Sequence, residues 1–168
     1  MEYFRLRQDP RVPNCAVMQL KNIRNYREAV RGNVTALPRM SATYVNSSKI
    51  NVYPDLLDRQ LFMVKDNLLE VFMQFVQKIE IRDICLLDNL LDVQEIYHIP
   101  NLEIVDCIAE SSEQGVITLD SDAVEDRDLF RAASKSDGPA VVIVSLLLAE
   151  SILRRSPTGV MLERITLI

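Results

Sequence analysis

The chain has no tryptophan, one histidine, four glycines and three cysteines, and these scarcities narrow its chemistry. The glycines stand at 32, 115, 138 and 159 and form neither GxGxxG nor GxxxxGK[ST], so neither phosphate-cradling loop is present. No GxSxG elbow exists either. A nucleophile needs a partner to take its proton. His98 is the one candidate base of its kind, and Cys107 is the thiol that its strand neighbourhood would bring to it. A structural or hydrated histidine is the competing reading. Three cysteines at irregular spacing are no disulfide framework. Cys85 and Cys107 lie among aliphatic residues and read as buried thiols of a reducing cytoplasm. Sparse aromatics leave a carbohydrate cleft without platforms, which discounts acid pairs such as Asp83 with Asp88 or Glu103 with Asp106 as glycosidase machinery. No apolar run approaches the ~20 residues that span a bilayer, and MEYFRLRQDP lacks the apolar core of a signal peptide. The expectation is a soluble cytoplasmic protein without cofactor or membrane contact.

What is present is a segregation of charge. Between Glu80 and Asp128 stand 14 acidic residues and two basic ones, Arg82 and Arg127. The first 50 residues carry nine Lys or Arg against three acids, while the whole chain is only −5. Like charges side by side repel and add no stability. The acidic stretch therefore reads either as a wetted surface kept for solubility or as a face that meets something positive. It would repel a phosphate backbone, which disfavours nucleic-acid binding.

At 168 residues, with 48% hydrophobic residues, one domain with its own core is expected. Tyr3–Arg7 alternates as a short strand, and Pro10 and Pro13 mark a loop. Apolar residues from Ala16 to Val30 recur near helical spacing, and Gly32 would end such a helix. Residues 32–49, rich in Ser, Thr and Asn, read as a long irregular working loop. The less regular part, 1–60, gives way to a strand–helix–strand core over 61–168. There Leu61–Val64 reads as a strand, followed by a helix capped by Asp66 or Asn67 with an apolar stripe at Leu68, Leu69, Phe72, Phe75 and Val76. Strands are expected at Ile79–Leu87, Val93–Ile99, Leu102–Ile108, Val116–Leu119 and Leu129–Ala132, with Pro100-Asn101 as a turn. Ala140–Val144 is a buried strand, Ser145 caps a helix to about Arg154, and Val160–Leu167 closes the chain. The expected fold is a single α+β domain with a mixed, mostly antiparallel sheet and two or three helices.

The segment DSDAVEDRD (Asp120–Asp128) begins like a calcium loop, with acids at its first and third positions. Glu125 then stands where the turn glycine belongs and Arg131 where the closing bidentate acid belongs. Metal binding through Asp120, Asp122 and Asp126 is therefore a weak pattern.

Residues 61–167 carry short motifs that resemble a family of bacterial polymorphic-toxin immunity proteins, formerly a domain of unknown function. The motifs are Val105-Asp106-Cys107 with Ser111, Leu129-Phe130-Arg131, Val144-Ser145 and Thr158-Gly159, and the opening YFRL is compatible with them. One departure is Ala109, where the family often has a second acid. Each motif also has a plain structural reading: Phe130 as core, Ser145 as a helix cap, Gly159 as a turn. The resemblance implies that the chain is itself a non-enzymatic immunity protein and that its partner is a cognate protein toxin, with a basic nuclease as one form. An acidic face would imitate phosphate and steer such a partner. The candidate partner-binding residues are Glu103, Asp106, Glu110, Glu113, Asp120, Asp122, Glu125, Asp126 and Asp128. The alternative function is a small-molecule or metal-binding domain with 32–49 as its lid. An uncovered edge strand would support a homodimer.

Overall fold

A computed structural model describes residues 1–109, 116–133 and 140–168. Among them are eleven strands: β1 (Tyr3–Gln8), β2 (Met40–Tyr44), β3 (Leu56–Leu57), β4 (Met63–Val64), β5 (Glu80–Asp88), β6 (Val93–Asn101), β7 (Ile104–Asp106), β8 (Thr118–Leu119), β9 (Leu129–Ala133), β10 (Val141–Ser145) and β11 (Val160–Leu167). Four helices join them: α1 (Tyr26–Val30), α2 (Asp66–Phe75), α3 (Ser121–Val124) and α4 (Leu146–Leu153). The strands form two mixed sheets, ordered β7-β9-β10-β1-β11-β8 and β2-β5-β6-β4-β3. Pairing is antiparallel except for β2 with β5, β7 with β9 and β8 with β11.

The first sheet is buried on both faces, as its unbroken apolar run in β10 requires. Leu6, Val142 and Val144 face one core layer together with Leu68 and Phe72 of α2 and Leu148 and Ile152 of α4. Tyr3, Ile143, Phe130 and Ala132 face the other, against Val105, Leu119 and Val124. Tyr3 and Phe130 meet edge to face, with ring centroids 5.9 Å apart. The second sheet buries Ile84, Leu86, Tyr97 and Ile99 under the N-terminal segment that carries Met18, Ile23, Ala29, Val34 and Leu37.

Helix α2 follows from its pattern: Leu68, Leu69, Val71 and Phe72 are buried, while Asp66, Glu70, Met73 and Gln74 are exposed. Helix α4 starts as read, with Ser145 accepting from the Leu148 N–H at 3.3 Å. Capping of α2 differs. Lys65 occupies the N-cap without a side-chain bond, Asn67 Oδ1 accepts from the Leu68 N–H, and Asp66 reaches elsewhere.

The N-terminal third departs most from expectation. Residues 16–30 do not form one helix, because Met18 bridges to Val45 and Ala16 donates to Val52, which holds this part extended on the second sheet. Tertiary pairing overrides the weak helical spacing, and only α1 remains, entered through left-handed Asn25. Residues 32–49 are not one loop: they contain β2, whose Thr43 is buried, and a 3-10 turn at Val34–Ala36. Pro100-Asn101 is no turn, since both residues extend β6 and pair with β5. The single expected sheet is two, because β6 runs on into β7 and hands the chain from one sheet to the other. Helix α3 and the short strand β3 went unread.

A narrow seam joins the sheets. Gln8 and Asp58 exchange bonds, Gln8 N–H to Asp58 Oδ2 at 2.9 Å and Asp58 N–H to Gln8 Oε1 at 3.1 Å. Asp55 Oδ2 accepts from the Thr158 N–H at 2.7 Å. Gly159 lies at φ +70°, and a Cβ there would stand 2.4 Å from the Pro54 Cβ. Gly159→Ala is therefore expected to destabilise the fold by about 1–3 kcal/mol, through left-handed strain and displacement of Pro54. The denaturant midpoint measures it, and an unchanged midpoint would refute the constraint.

Candidate functional site

The acidic residues of the central third are positioned by β7, α3 and the turn after it. Helix α3 packs against β7, with Val124 and Val105 in one core layer. Asp120 donates its N–H to the Cys107 carbonyl at 2.9 Å, which sets α3 beside the end of β7. Arg127 then folds back: its Nη1 donates to the Ala123 carbonyl at 3.1 Å and its Nη2 meets Glu103 Oε1 at 3.3 Å. Glu103, Asp106, Asp120 and the α3 turn thus share one region of the surface. The local field registers on buried groups. Burial first, then Asp106 and Asp120, push the Cys107 thiol up to about 11, and Arg127 opposes them. Burial, then Asp128 with a smaller part from Asp126, raises the pKa of Tyr3, whose hydroxyl donates to the Val124 carbonyl at 2.5 Å.

The expected residues divide by role. Asp106, Asp122, Glu125 and Asp126 are exposed, and their carboxylates have no hydrogen-bond or ion-pair partner among the described residues. Glu103 is exposed and paired with Arg127. Asp120 is exposed while also capping α3 through the Asp122 N–H at 3.0 Å. Asp128 is drawn inward, accepting from the Ser145 hydroxyl at 2.5 Å. Glu110 and Glu113 lie outside the described residues. The arginines of the first strand do not neutralise this region: Arg5 and Arg7 both face Glu163.

Nothing assembles around the catalytic candidates. His98 is clamped between two carboxylates, Nδ1 to Asp83 Oδ1 at 2.6 Å and Nε2 to Asp66 Oδ1 at 2.5 Å, so both ring nitrogens are occupied. Cys107 lies buried in the layer behind the other sheet. Asp83 and Asp88 point to opposite faces of β5, because they lie an odd number of positions, five, apart. Asp88 is buried and accepts from the Tyr53 hydroxyl at 2.7 Å. Among the described residues no three His, Cys, Asp or Glu side chains converge to hold a metal, and no helix is long and apolar enough to cross a membrane.

His98 also marks a border. Cross-strand rows on that side of the second sheet run Met40–Asp83–His98, Ala42–Cys85–Ile96 and Tyr44–Leu87–Gln94. Met40, Ala42, Tyr44 and Ile96 are exposed, so this half of the face is apolar and open to solvent. Beyond His98 the paired residue Val64 is fully buried in the layer that holds α2. The clamp was legible in principle, since a hairpin closed at Asp88–Val93 puts Asp83 opposite His98. Asp66 carried no such signal.

No protein-family model matches the chain, and no curated protein matches it.

Burial disfavours the imidazolium of His98, but the bonds to Asp83 and then Asp66 outweigh it and raise its pKa above the ordinary value. A raised folded-state pKa gives stability that is complete below the unfolded value and is lost as pH rises through the folded one. The wild-type unfolding free energy should therefore fall relative to His98→Gln as pH is raised from about 6 to above 8. Parallel curves for the two proteins would refute the clamp. Asp66 is mostly exposed, so Asp66→Asn should cost under about 1 kcal/mol at the acid end.

Arg131 on β9 presents the opposite case. It is 9% exposed, its Nε has no partner among the described residues, and burial lowers its pKa with no carboxylate among them to offset the effect. Removing a buried, unpaired charge relieves a desolvation cost. Arg131→Met should keep or raise the thermal midpoint. A fall of several degrees would show that the guanidinium is stabilised.

Proposed function

We propose that this chain is a non-enzymatic, immunity-type protein that binds and neutralises a cognate toxin by presenting the acidic surface at β7 and α3 to a cationic site. The observation that carries the reading is the grouping of Glu103, Asp106, Asp120, Asp122, Glu125 and Asp126 on adjoining elements, with Arg127 as the cation bonded within the group. Unpaired carboxylates held at a fixed surface keep their hydration in the free protein and offer it to a partner. Their combined field reaches about 8 Å at physiological salt and falls away above it. Such a field raises association rates and selects against acidic partners more than it adds contact energy. The motifs shared with immunity proteins support the same class.

The toxin partner would be basic where it holds its own substrate. A nuclease fits this, because its phosphate-binding groove is cationic. The protein would act in the cytoplasm, where such a toxin does its harm.

The test uses the product of the neighbouring gene, where this reading expects a toxin domain. Asp106, Asp122 and Glu125 replaced together by lysine should slow association tenfold or more at low salt and abolish growth protection. These three side chains make no bonds among the described residues, so the thermal midpoint should hold. Ile96→Lys, on the open apolar face, should leave the association rate unchanged. Equal rates for the triple variant and the wild type, or a neighbouring gene without a toxin, would remove the proposal. Loss of binding in Ile96→Lys alone would move the interface to the second sheet.

A further inference from the structure

The second sheet keeps half of one face in water. Beyond the His98 border, Met40, Ala42, Tyr44, Cys85, Leu87 and Ile96 stand together on one side of β2, β5 and β6. Met40 is 55% exposed, Tyr44 47% and Ile96 51%. A sheet face meant for solvent ordinarily carries polar side chains at the alternate positions, and this one does not. The six side chains expose on the order of 500 Å², near the top of the range for the largest apolar patch of an ordinary monomer.

Charge decides what kind of surface fits. The charged side chains in these rows are Asp83 and His98, and they bond each other at 2.6 Å. Gln94 is polar but uncharged. A face without free charge draws neither a basic nor an acidic partner, but it matches itself. Two copies of a chain with net charge −5 can meet here without setting carboxylate against carboxylate. Size agrees: two such faces, with the polar groups at their rims, would bury about 1,200 Å², where the range of specific interfaces begins. Pairing of two copies edge to edge through β2 is less well placed. Gln19 donates its N–H to the Tyr44 carbonyl at 2.9 Å and Met18 bridges to Val45, so one end of that edge is already occupied. Edge pairing would also leave the apolar face in water.

We propose that this chain forms a two-fold dimer in solution by packing the open halves of two second sheets face to face. The middle row, Ala42–Cys85–Ile96, sets two small side chains beside a large one. A two-fold axis makes every contact twice, so Ile96 of each copy fills the low ground over Ala42 and Cys85 of the other. Met40 and Tyr44 close the sides of the contact, and the sheets lie about 10 Å apart, the spacing of stacked sheets. The contact uses the other sheet from β7 and is independent of the toxin reading.

Sedimentation equilibrium of the whole protein from about 1 μM to about 1 mM reads the assembly across weak and ordinary affinities. The wild type should pass from monomer to dimer within that span. Ile96→Lys and Ala42→Lys should each weaken the dimer about tenfold or more, because each would bury an unpaired ammonium. Leu147→Lys, at an exposed position of α4, should leave it unchanged. Salt at about 0.5 M should not dissolve the dimer, which separates this contact from one made by the acidic surface. Cys85 is the half-exposed thiol while Cys15 and Cys107 are buried, so alkylation of Cys85 should slow as the wild-type concentration rises. A monomer at every concentration, a dimer that both lysine variants leave intact, or a dimer that salt dissolves would overturn the proposal. Should a lysine variant fail to fold, the Cys85 alkylation decides alone, and a rate independent of concentration overturns the proposal.

Discussion

The stretch from Pro54 to Asp58 touches both sheets, and the placement of the rest follows from how it is held. Leu56 belongs to the layer under α2 and α4, while Leu57 belongs to the layer under the N-terminal segment. Neighbouring residues on a strand face opposite ways, so two residues suffice to divide two cores. That division holds only if the strand cannot slip. Slippage by one residue would exchange the two side chains between cores. Polar bonds on both flanks prevent it: Asp58 with Gln8 on one side, Asp55 with Thr158 on the other. The Tyr97 hydroxyl adds a third tie from below, donating to the Pro54 carbonyl at 2.6 Å. Gly159 completes the arrangement because no side chain fits where Pro54 lies.

This seam explains which parts of the fold the sequence disclosed. Where burial alone dictates structure, pattern and structure agree. Val160–Leu167 has its expected limits, the five residues of β10 lie within one position of theirs, and α2 follows its apolar stripe. Ser145 is the expected cap because the helix behind it needs an acceptor, whatever lies around it. Where long-range pairing dictates structure, local pattern misleads. Residues 16–30 have roughly helical spacing, but Val52 and Val45 supply extended partners for Ala16 and Met18. The same pairing makes a strand of Met40–Tyr44 within a stretch whose Ser, Thr and Asn suggest a loop. Two sheets instead of one is the largest miss, and it has the same origin. Pro100-Asn101 has turn chemistry, yet β5 gives it a partner, so the chain continues from the second sheet straight into the first.

The charge asymmetry of the sequence was legible, but its spatial meaning was only partly so. Of the acids between Glu80 and Asp128, several are engaged in the fold. Asp83 holds His98, Asp88 gathers Tyr53 and the amides of Leu90 and Leu91, Glu95 meets Lys65, and Asp128 braces Ser145. Composition counts these alike with the exposed acids of α3, although a carboxylate already bonded within the fold is less free to meet a partner. The distinction depends on whether an acid sits beside a hydroxyl, an amide or an imidazole after folding. It is therefore a property of register, beyond the reach of a charge count.

The placement of His98 shows how the two halves of the second sheet come to differ. Helix α2 covers the sheet from β3 to β4, and its first residue reaches over to the imidazole. Past that point the rows through Ile96 and Tyr44 have no covering element among the described residues, although their side chains are as apolar as many in the core. A polar clamp at such an edge has a clear physical consequence. Replacing His98 with an apolar residue would extend the open face up to α2, leave Asp66 and Asp83 as uncompensated neighbours, and add their repulsion to the exposed area. The histidine therefore ends the apolar face as much as it anchors the helix. The chain's one imidazole thus holds the first turn of α2 to the neighbouring strand through both of its ring nitrogens.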